Sequence, residues 1–266
     1  TGFIGTSLLN NKLFLENFEI IGINTTDYLL FDKKIKKIAE SEFYKKIKKY
    51  KTVDVLHLAQ LYDLDENNKI KIWESNYNFG VNFFRNLIEN NIKISSILFT
   101  NTVFSLSGNQ DLKNSSYFLS KNKFSSFLDT FSKENVINYI EVYLSNTLGI
   151  GDTRNKIIPN IIKSIFNKDS YEIRNSESYL NILDVDLILN QFYKLFSINS
   201  SRKITIISKY EFLISSIYDF LNNYINNGKE VEIKKQLSVD TISDTDFKKI
   251  DFNLSETLKK IVDDLI

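Results

Sequence analysis

The sequence predicts an α/β fold that consists of a doubly wound parallel sheet and a smaller C-terminal lobe. Short apolar runs alternate with segments of helical length through residues 1–150. These runs are mostly apolar, which is typical of strands buried on both faces. Such strands need helices on both sides of the sheet and right-handed crossovers between neighbours. After Gly149 the strands shorten and mix with helices, which predicts the smaller lobe.

The elements follow from hydrophobic periodicity, in chain order. Apolar runs predict strands at Phe18–Ile23, Val53–Leu58, Ile94–Thr100, Ile137–Leu144, Tyr171–Ile173, Lys203–Ile207 and Glu230–Ile233. Longer amphipathic segments predict helices at Lys34–Tyr50, Ile72–Glu89, Ser116–Ser132, Lys156–Asn167 and Ser255–Ile266. We interpret the lysine-rich runs at 33–37 and 45–49 as the solvated face of a crossover helix, not as a nucleic-acid patch.

The composition excludes several kinds of site. Lys and Arg number 34 against 33 Asp and Glu, so no net charge draws the chain toward nucleic acid or an anionic membrane. The absence of Cys excludes disulfides and thiolate sites, and a single His argues against a zinc centre. No apolar run is long enough to span a bilayer. We expect a cytoplasmic protein that binds no metal, no nucleic acid and no membrane.

Two glycines at the start of the chain are candidates for a phosphate-binding loop. Gly2 and Gly5 are three residues apart and run into an apolar helical segment. Glycine lets the backbone approach a phosphate closely, and the N–H groups at a helix N-terminus attract the anion. The same pair also fits a tight strand-to-helix turn without a ligand. We expect the first strand of the sheet to precede Thr1.

Tyr117 and Lys121 are the residues that point most directly to a chemical reaction. They lie four residues apart at the start of a predicted helix and therefore share a face. A cation near a phenol favours the phenolate and lowers the pKa of the phenol, which suits acid/base work near neutral pH. Tyr44 and Lys48 have the same spacing, which we interpret as a coincidence. Which of the two pairs has an acid/base role must therefore be judged from the position of each pair along the chain.

Tyr117 and Lys121 belong to an ordered series of motifs. The series is Gly2-x-x-Gly5, Asp54–Ala59, Asn76, Phe99–Thr102, Tyr117-x-x-x-Lys121 and Asn146–Asp152. In this order the motifs resemble the extended short-chain dehydrogenase/reductase family, in its branch of NAD-dependent epimerases and dehydratases that act on nucleotide sugars. The resemblance runs from Thr1 to about Asn190.

The resemblance implies a dinucleotide-binding Rossmann domain at residues 1–150 and a substrate-binding lobe at 151–266, partly interleaved with the sheet near 180–210. The implied catalytic residues are Tyr117 as acid/base, Lys121 and Thr102, with Thr100 competing for the role of Thr102. The implied cofactor-binding residues are Gly2, Phe3, Ile4, Gly5, Ala59, Gln60 and Lys121. The residues implied to contact the substrate are Asn146, Lys156 and Ile158.

Several of these motifs also have purely structural interpretations. His57 is interpreted as a buried, hydrogen-bonded strand histidine and not as a catalyst. Asn76 can simply tie a helix to a neighbouring strand. Asp184 or Asp186 can cap the helix that follows. Tyr143 stands where the family commonly has arginine, which bears on the usual contacts to substrate phosphate.

The residues after Thr102 reduce the number of candidate reactions. A 4,6-dehydratase of this family needs an acidic pair there, whereas Val103 and Phe104 follow. The Thr100–Phe104 stretch and the short interval to Tyr117 resemble the CDP-abequose/paratose synthase branch, so we predict reduction of a nucleotide-linked 4-keto-6-deoxy-hexose. A C4-type epimerase with tightly bound NAD is the alternative. A dinucleotide-binding sensor without enzymatic activity is the contrasting class.

The cofactor is predicted to be NADP or NAD. Residues Asn24–Thr26 include no acidic side chain for the adenosine ribose and have no arginine nearby for a 2′-phosphate. The choice between the two dinucleotides therefore stays open. The expected partner is a nucleotide-diphosphate sugar, and the family resemblance implies a homodimer.

Overall fold

The computed structural model describes residues 2–23, 36–38, 40–63, 66–106, 114–238 and 245–265. The strands are β1 (Ile21–Ile23), β2 (Lys36–Ile38), β3 (Val53–His57), β4 (Ile94–Thr102), β5 (Asn138–Leu144), β6 (Asn146–Leu148), β7 (Tyr179–Asp184), β8 (Arg202–Ser208), β9 (Tyr210–Leu213), β10 (Lys235–Leu237) and β11 (Asp246–Ile250). The α-helices are α1 (Phe3–Leu9), α2 (Lys12–Asn17), α3 (Glu40–Ile47), α4 (Lys69–Trp73), α5 (Phe79–Glu89), α6 (Ser116–Asn135), α7 (Ile157–Asn167), α8 (Val185–Phe196), α9 (Ile214–Asn227) and α10 (Leu254–Asp263). A π-helical turn, Glu74–Asn78, joins α4 to α5.

The described strands form three sheets. One has five strands in the order β11-β8-β5-β4-β3, with β3 parallel to β4. A two-stranded sheet pairs β1 with β2 in parallel. The third has the order β10-β9-β7-β6, in which β6 and β7 are parallel while β9 is antiparallel to both of its neighbours. The predicted α/β class with a parallel central sheet is confirmed.

The first compact unit comprises Thr1–Tyr143, Leu189–Thr205 and Ile242–Asp246. Its core packs α5 and α6 against β4, and the largest fully buried side chains there are Phe84, Phe99 and Phe124. The apolar residues of each helix recur three or four positions apart, so one face of each helix is buried. The core therefore fixes the rotation of α6, on which Tyr117 and Lys121 lie.

The second compact unit comprises Leu144–Ile188, Ile206–Thr241 and Phe247–Ile266. It has a core of its own, built by α7, α9 and α10 and dominated by aliphatic and phenylalanine side chains. The predicted domain boundary at residue 150 and the roles of the two parts stay predictions.

Some predicted elements are wrong. Lys36–Ile38 forms β2 instead of the start of a helix, because pairing with β1 satisfies its backbone groups. Residues 171–173 and 230–233 are not strands, and the chain forms strands only later, where β7 and β10 each pair with β9. The Asn24–Thr26 segment lies outside the described residues. Within the described ranges, no helix has the length and apolarity needed to cross a bilayer.

Candidate active site

Tyr117 and Lys121 lie one turn apart at the start of α6. Their side chains are 8% and 3% exposed, which is unusual for a lysine. Nζ of Lys121 donates a hydrogen bond to Oη of Tyr117 at 3.4 Å. The structure therefore brings together the two residues that the sequence predicts to act together.

Gln60 links this pair to the edge of the sheet. It follows β3, and its Oε1 accepts a hydrogen bond from Nζ of Lys121. Its Nε2 donates to the carbonyl oxygen of Thr100 in the neighbouring β4 at 3.0 Å. Because β3 and β4 are parallel, their carboxyl ends lie at the same edge, which is where open α/β sheets bind ligands. Ala59, also predicted at this edge, is exposed.

The segment that follows Gln60 is held against the helices. The Tyr62 ring meets the Tyr117 ring edge-on, with centroids 5.0 Å apart, and partial burial raises the pKa of Tyr62. Asn76 is completely buried, and its side chain accepts from the N–H of Leu61 at 2.6 Å and donates to the Leu61 carbonyl at 3.0 Å. Asn76 thus ties a helix to the loop after β3, where the sequence suggested a strand. It lies in the π-helical turn, a feature often found at functional sites.

Thr102 ends β4, and its backbone is fixed by Asn101. Oδ1 of Asn101 accepts from the N–H of Thr102 at 2.9 Å, and Nδ2 donates to Oε1 of the fully buried Glu141 at 2.8 Å. Lys203 forms an ion pair with the other oxygen of Glu141 at 3.4 Å. Burial and the nearby Glu141 carboxylate raise the pKa of Tyr143. A buried charge needs such partners, so this chain of contacts holds the end of β4 in place.

His57 lies beneath the site at the end of β3, surrounded by phenylalanine rings. Its ring centroid is 4.7 Å from that of Phe124 on α6, and burial lowers its pKa to about 4. A Cβ on Gly80 of α5 would lie 2.4 Å from the Phe124 ring and 3.1 Å from Nε2 of His57. Glycine at position 80 therefore permits the close approach of α5 to α6. The predicted burial of His57 is confirmed, but its predicted side-chain hydrogen bond is wrong, because neither ring nitrogen has a hydrogen-bond partner within the part of the chain that the structure describes.

Glu66 supplies the cap at the N-terminus of α6. Its carboxylate accepts hydrogen bonds from the backbone N–H of Ser116 at 2.8 Å and from Oγ of Ser116 at 2.6 Å. These bonds hold the pKa of Glu66 below its usual range, although its side chain is exposed. Ser115, the N-cap residue, makes no capping hydrogen bond with its own side chain. Glu66, 50 positions before Ser116 in the sequence, thus supplies the capping acceptor that the residues at the helix start do not.

The predicted phosphate-binding residues Gly2, Phe3, Ile4 and Gly5 lie at the start of α1. Gly2 is the N-cap residue, and its carbonyl accepts from the N–H of Thr6 at 2.9 Å. A Cβ on Gly2 would meet nothing within 4 Å among the described residues, whereas Gly5 is buried.

The predicted substrate-binding residues Asn146, Lys156 and Ile158 lie in the second unit. Nδ2 of Asn146 donates to the carbonyl of Asn181 at 3.1 Å. Lys156 is the N-cap residue of α7, and burial together with the nearby Arg154 lowers its pKa. Ile158 is 4% exposed and packs in the core of this unit, so a contact with a substrate would come from its backbone.

Sequence reasoning missed Arg154, Glu66 and the part that Gln60 plays. Arg154 donates to both carboxylate oxygens of Asp152 at 2.7 Å and to the carbonyl of Thr147 at 2.7 Å, which fixes the loop before α7. The Asp-x-Arg spacing is the only local signal for that contact. Gln60 and Lys121 are 61 residues apart, so no periodicity reveals their contact. Across the described part of the chain, no group of three or more His, Cys, Asp or Glu residues could hold a metal ion.

Comparison with known proteins gives structural matches alone. No protein-family model and no curated protein sequence matches the chain. UDP-N-acetylglucosamine 4-epimerase from Methanobrevibacter ruminantium M1, in complex with UDP-N-acetylmuramic acid, superimposes with a TM-score of 0.78 at 18% identity over 99% of this chain and 95% of that one. UDP-glucuronic acid 4-epimerase from Bacillus cereus, in complex with NAD, gives 0.76 at 15% identity over 99% and 93%. RMD from Pseudomonas aeruginosa, complexed with NADPH, gives 0.70 at 14% identity over 99% and 96%.

At these identities the likeness establishes the fold. It extends over nearly the whole of this chain and of each matching chain. The resemblance to the CDP-abequose/paratose synthase branch and the roles of the individual site residues stay predictions.

Proposed function

We propose that this chain is an NAD-dependent nucleotide-sugar 4-epimerase. The observation that carries the proposal is the buried Tyr117–Lys121 pair, linked through Gln60 to the carboxyl edge of parallel strands. The fold around that pair matches the folds of two UDP-sugar 4-epimerases over 99% of this chain. The Tyr117–Lys121 pair suits either reaction, and the 4-epimerases among the matching structures favour the epimerase alternative over the predicted reductase.

The residues present fit a dinucleotide. Gly2 and Gly5, at the N-terminus of α1, are proposed to approach the pyrophosphate. Lys121 and Gln60 are proposed to hold the nicotinamide ribose, because an ammonium and an amide at the sheet edge can bind its hydroxyl groups. NAD, when bound, would supply a hydride acceptor and donor. Similar structures hold NAD or NADPH, and we propose NAD because the 4-epimerase among them is in complex with NAD.

Within the site, Tyr117 is proposed to move the proton of the reacting sugar hydroxyl. A phenolate accepts that proton as the sugar carbon is oxidised and returns it as the carbon is reduced. The Lys121 ammonium at 3.4 Å favours the phenolate, because opposite charges attract strongly in a buried site. Thr102 is proposed to donate a hydrogen bond to the same sugar oxygen. The chain from Asn101 to Glu141 would keep its backbone in place.

The test combines cofactor analysis with turnover. Purified protein is denatured and the released dinucleotide is identified by mass spectrometry. Native protein is incubated with UDP-glucose, UDP-N-acetylglucosamine or UDP-glucuronic acid, and the 4-epimer is followed by proton NMR. We expect released NAD and interconversion of at least one sugar pair without added cofactor.

A parallel assay separates the alternatives. The same protein is mixed with NADPH and 4-keto-6-deoxy sugars linked to CDP, dTDP, GDP or UDP. Stoichiometric loss of NADPH with no epimerisation would replace the proposal by the reductase. No turnover in either assay would leave the dinucleotide-binding sensor without enzymatic activity.

A further inference from the structure

The helix that bears Tyr117 has no capping side chain in its own first turn. Its N-cap residue, Ser115, makes no side-chain capping bond, and the first turn contains no acidic residue. The backbone N–H groups at a helix start need acceptors, since they have no partner within the helix. For α6 that acceptor is the carboxylate of Glu66, which reaches the N–H and Oγ of Ser116 at 2.8 and 2.6 Å.

This cap acts next to the proposed catalytic residue. Ser116 is 2% exposed and immediately precedes Tyr117, so its position determines where the Tyr117 backbone begins. Two short bonds to one carboxylate fix both the position and the rotation of Ser116. The negative charge of Glu66 also lies at the positive end of the helix dipole, where it is favourable. The bonds with Ser116 lower the pKa of Glu66 further below neutral pH.

Glu66 is one of several points at which its segment contacts α6. Gln60 accepts from Lys121, and the Tyr62 ring lies against Tyr117. Near Glu66, Nδ2 of Asn68 donates to Oδ2 of Asp63 at 2.7 Å. The segment therefore holds the first turns of α6 from outside the helix.

We propose that Glu66 is a positioning residue for Tyr117. Glu66 acts through the two hydrogen bonds that its carboxylate accepts from Ser116. The expected effect of Glu66 on turnover rests on the proposed function. Its expected effect on the position of Tyr117 does not. Without the carboxylate, the first turn of α6 frays and Tyr117 samples positions away from the reacting hydroxyl. Such misplacement reduces turnover more than substrate binding, because it affects the proton-transfer geometry.

The kinetic experiment compares three variants of the full chain. Glu66→Ala is expected to reduce kcat about tenfold with little change in KM. Glu66→Gln keeps an acceptor for the Ser116 N–H and is expected to restore most of kcat. Glu134→Ala removes an exposed carboxylate at the other end of the same helix and is expected to behave like the parent protein. Unchanged kcat in Glu66→Ala, or equal losses in the Ala and Gln variants, would overturn the proposal.

A second readout does not depend on catalysis. 3-Fluorotyrosine is placed at position 117, and its fluorine NMR signal is recorded in each background without substrate. We expect one sharp line in the parent, Glu66→Gln and Glu134→Ala proteins, and a split or broadened line in Glu66→Ala. If the parent protein shows no epimerisation, the proposed function fails and the fluorine spectra alone decide. An unchanged line in Glu66→Ala would then overturn the positioning role.

Discussion

Two tyrosine–lysine pairs with the same four-residue spacing lie in the first unit, and their surroundings differ. Tyr117 and Lys121 are both inside α6, with the lysine 3% exposed and its ammonium 3.4 Å from the phenol oxygen. Tyr44 lies near the end of α3, which stops at Ile47, and Lys48 beyond it is exposed. Oη of Tyr44 accepts a hydrogen bond from Nδ2 of Asn86 at 3.4 Å.

The comparison shows what spacing alone leaves undecided. Two residues four apart share a face only while the helix continues past both of them. A buried lysine also needs acceptors from other elements, and Gln60 provides one for Lys121. The pair suited to acid/base chemistry is thus the one that a second segment of the chain contacts.

The largest expected effect comes from removing the phenol hydroxyl. Tyr117→Phe should reduce epimerisation about 10³-fold, because the proposed acid/base group is lost while the ring stays in place. Tyr44→Phe, the matched control, should retain activity within about twofold. Both are measured by proton NMR of the sugar products. Comparable losses in both variants would show that the comparison between the pairs is wrong.

The lysines provide the next test. Lys121→Met should reduce kcat about 100-fold and weaken dinucleotide retention, because the cation beside Tyr117 and its link to Gln60 are lost. Lys48→Met should leave both quantities unchanged, since Lys48 is exposed. Cofactor content is determined after denaturation of each variant. Full NAD retention in Lys121→Met would remove this lysine from the proposed cofactor site.

His57 lies beneath the Tyr117–Lys121 pair. Its burial predicts that the stability of the protein depends on pH. Burial lowers its pKa from 6.5 to about 4, so the unfolded chain binds a proton at a higher pH than the folded chain does. Stability from this residue is present above pH 6.5 and is lost as pH falls toward 4, by about 3 kcal/mol in total. Urea unfolding at several pH values measures the loss.

His57→Leu is the control for that prediction. The parent chain contains a single histidine, so the variant removes all histidine titration and leaves the carboxylates unchanged. The stability of the variant should fall less steeply between pH 6.5 and 4. Equal slopes would mean that His57 becomes charged in the folded protein without penalty.

The smallest expected effect concerns the packing beneath Lys121. Gly80→Ala places a Cβ 2.4 Å from the Phe124 ring, so α5 and α6 must move apart, at a cost of about 1–3 kcal/mol in the free energy of unfolding. Gly22→Ala in β1 is the control, because a Cβ there meets nothing within 4 Å among the described residues. Urea denaturation compares the two. A Gly80→Ala protein as stable as Gly22→Ala would show that the Phe124 ring moves freely.

The sequence allowed the fold class and the central pair to be predicted, because both depend on local patterns. Buried strands read as apolar runs, and Tyr117 with Lys121 stand four residues apart in an ordered series of motifs. The contacts of Gln60 and Glu66 with α6 join residues 61 and 50 positions apart, for which one sequence carries no signal. Lys36–Ile38 was predicted as helix because a short Lys/Ile run fits either period, and its pairing with β1 decided for a strand.

The π-helical turn at Glu74–Asn78 has a consequence for how this chain tolerates changes in length. Each residue advances an α-helix by about 100°, so the wider turn determines the rotational phase between Asn76 and everything after it. Asn76 faces Leu61 on one side of that turn, while Gly80 faces Phe124 on the other. Inserting one residue there would rotate Gly80 away from α6 by about 100°. This helix should therefore accept substitutions at its exposed positions but no insertion between Asn76 and Gly80.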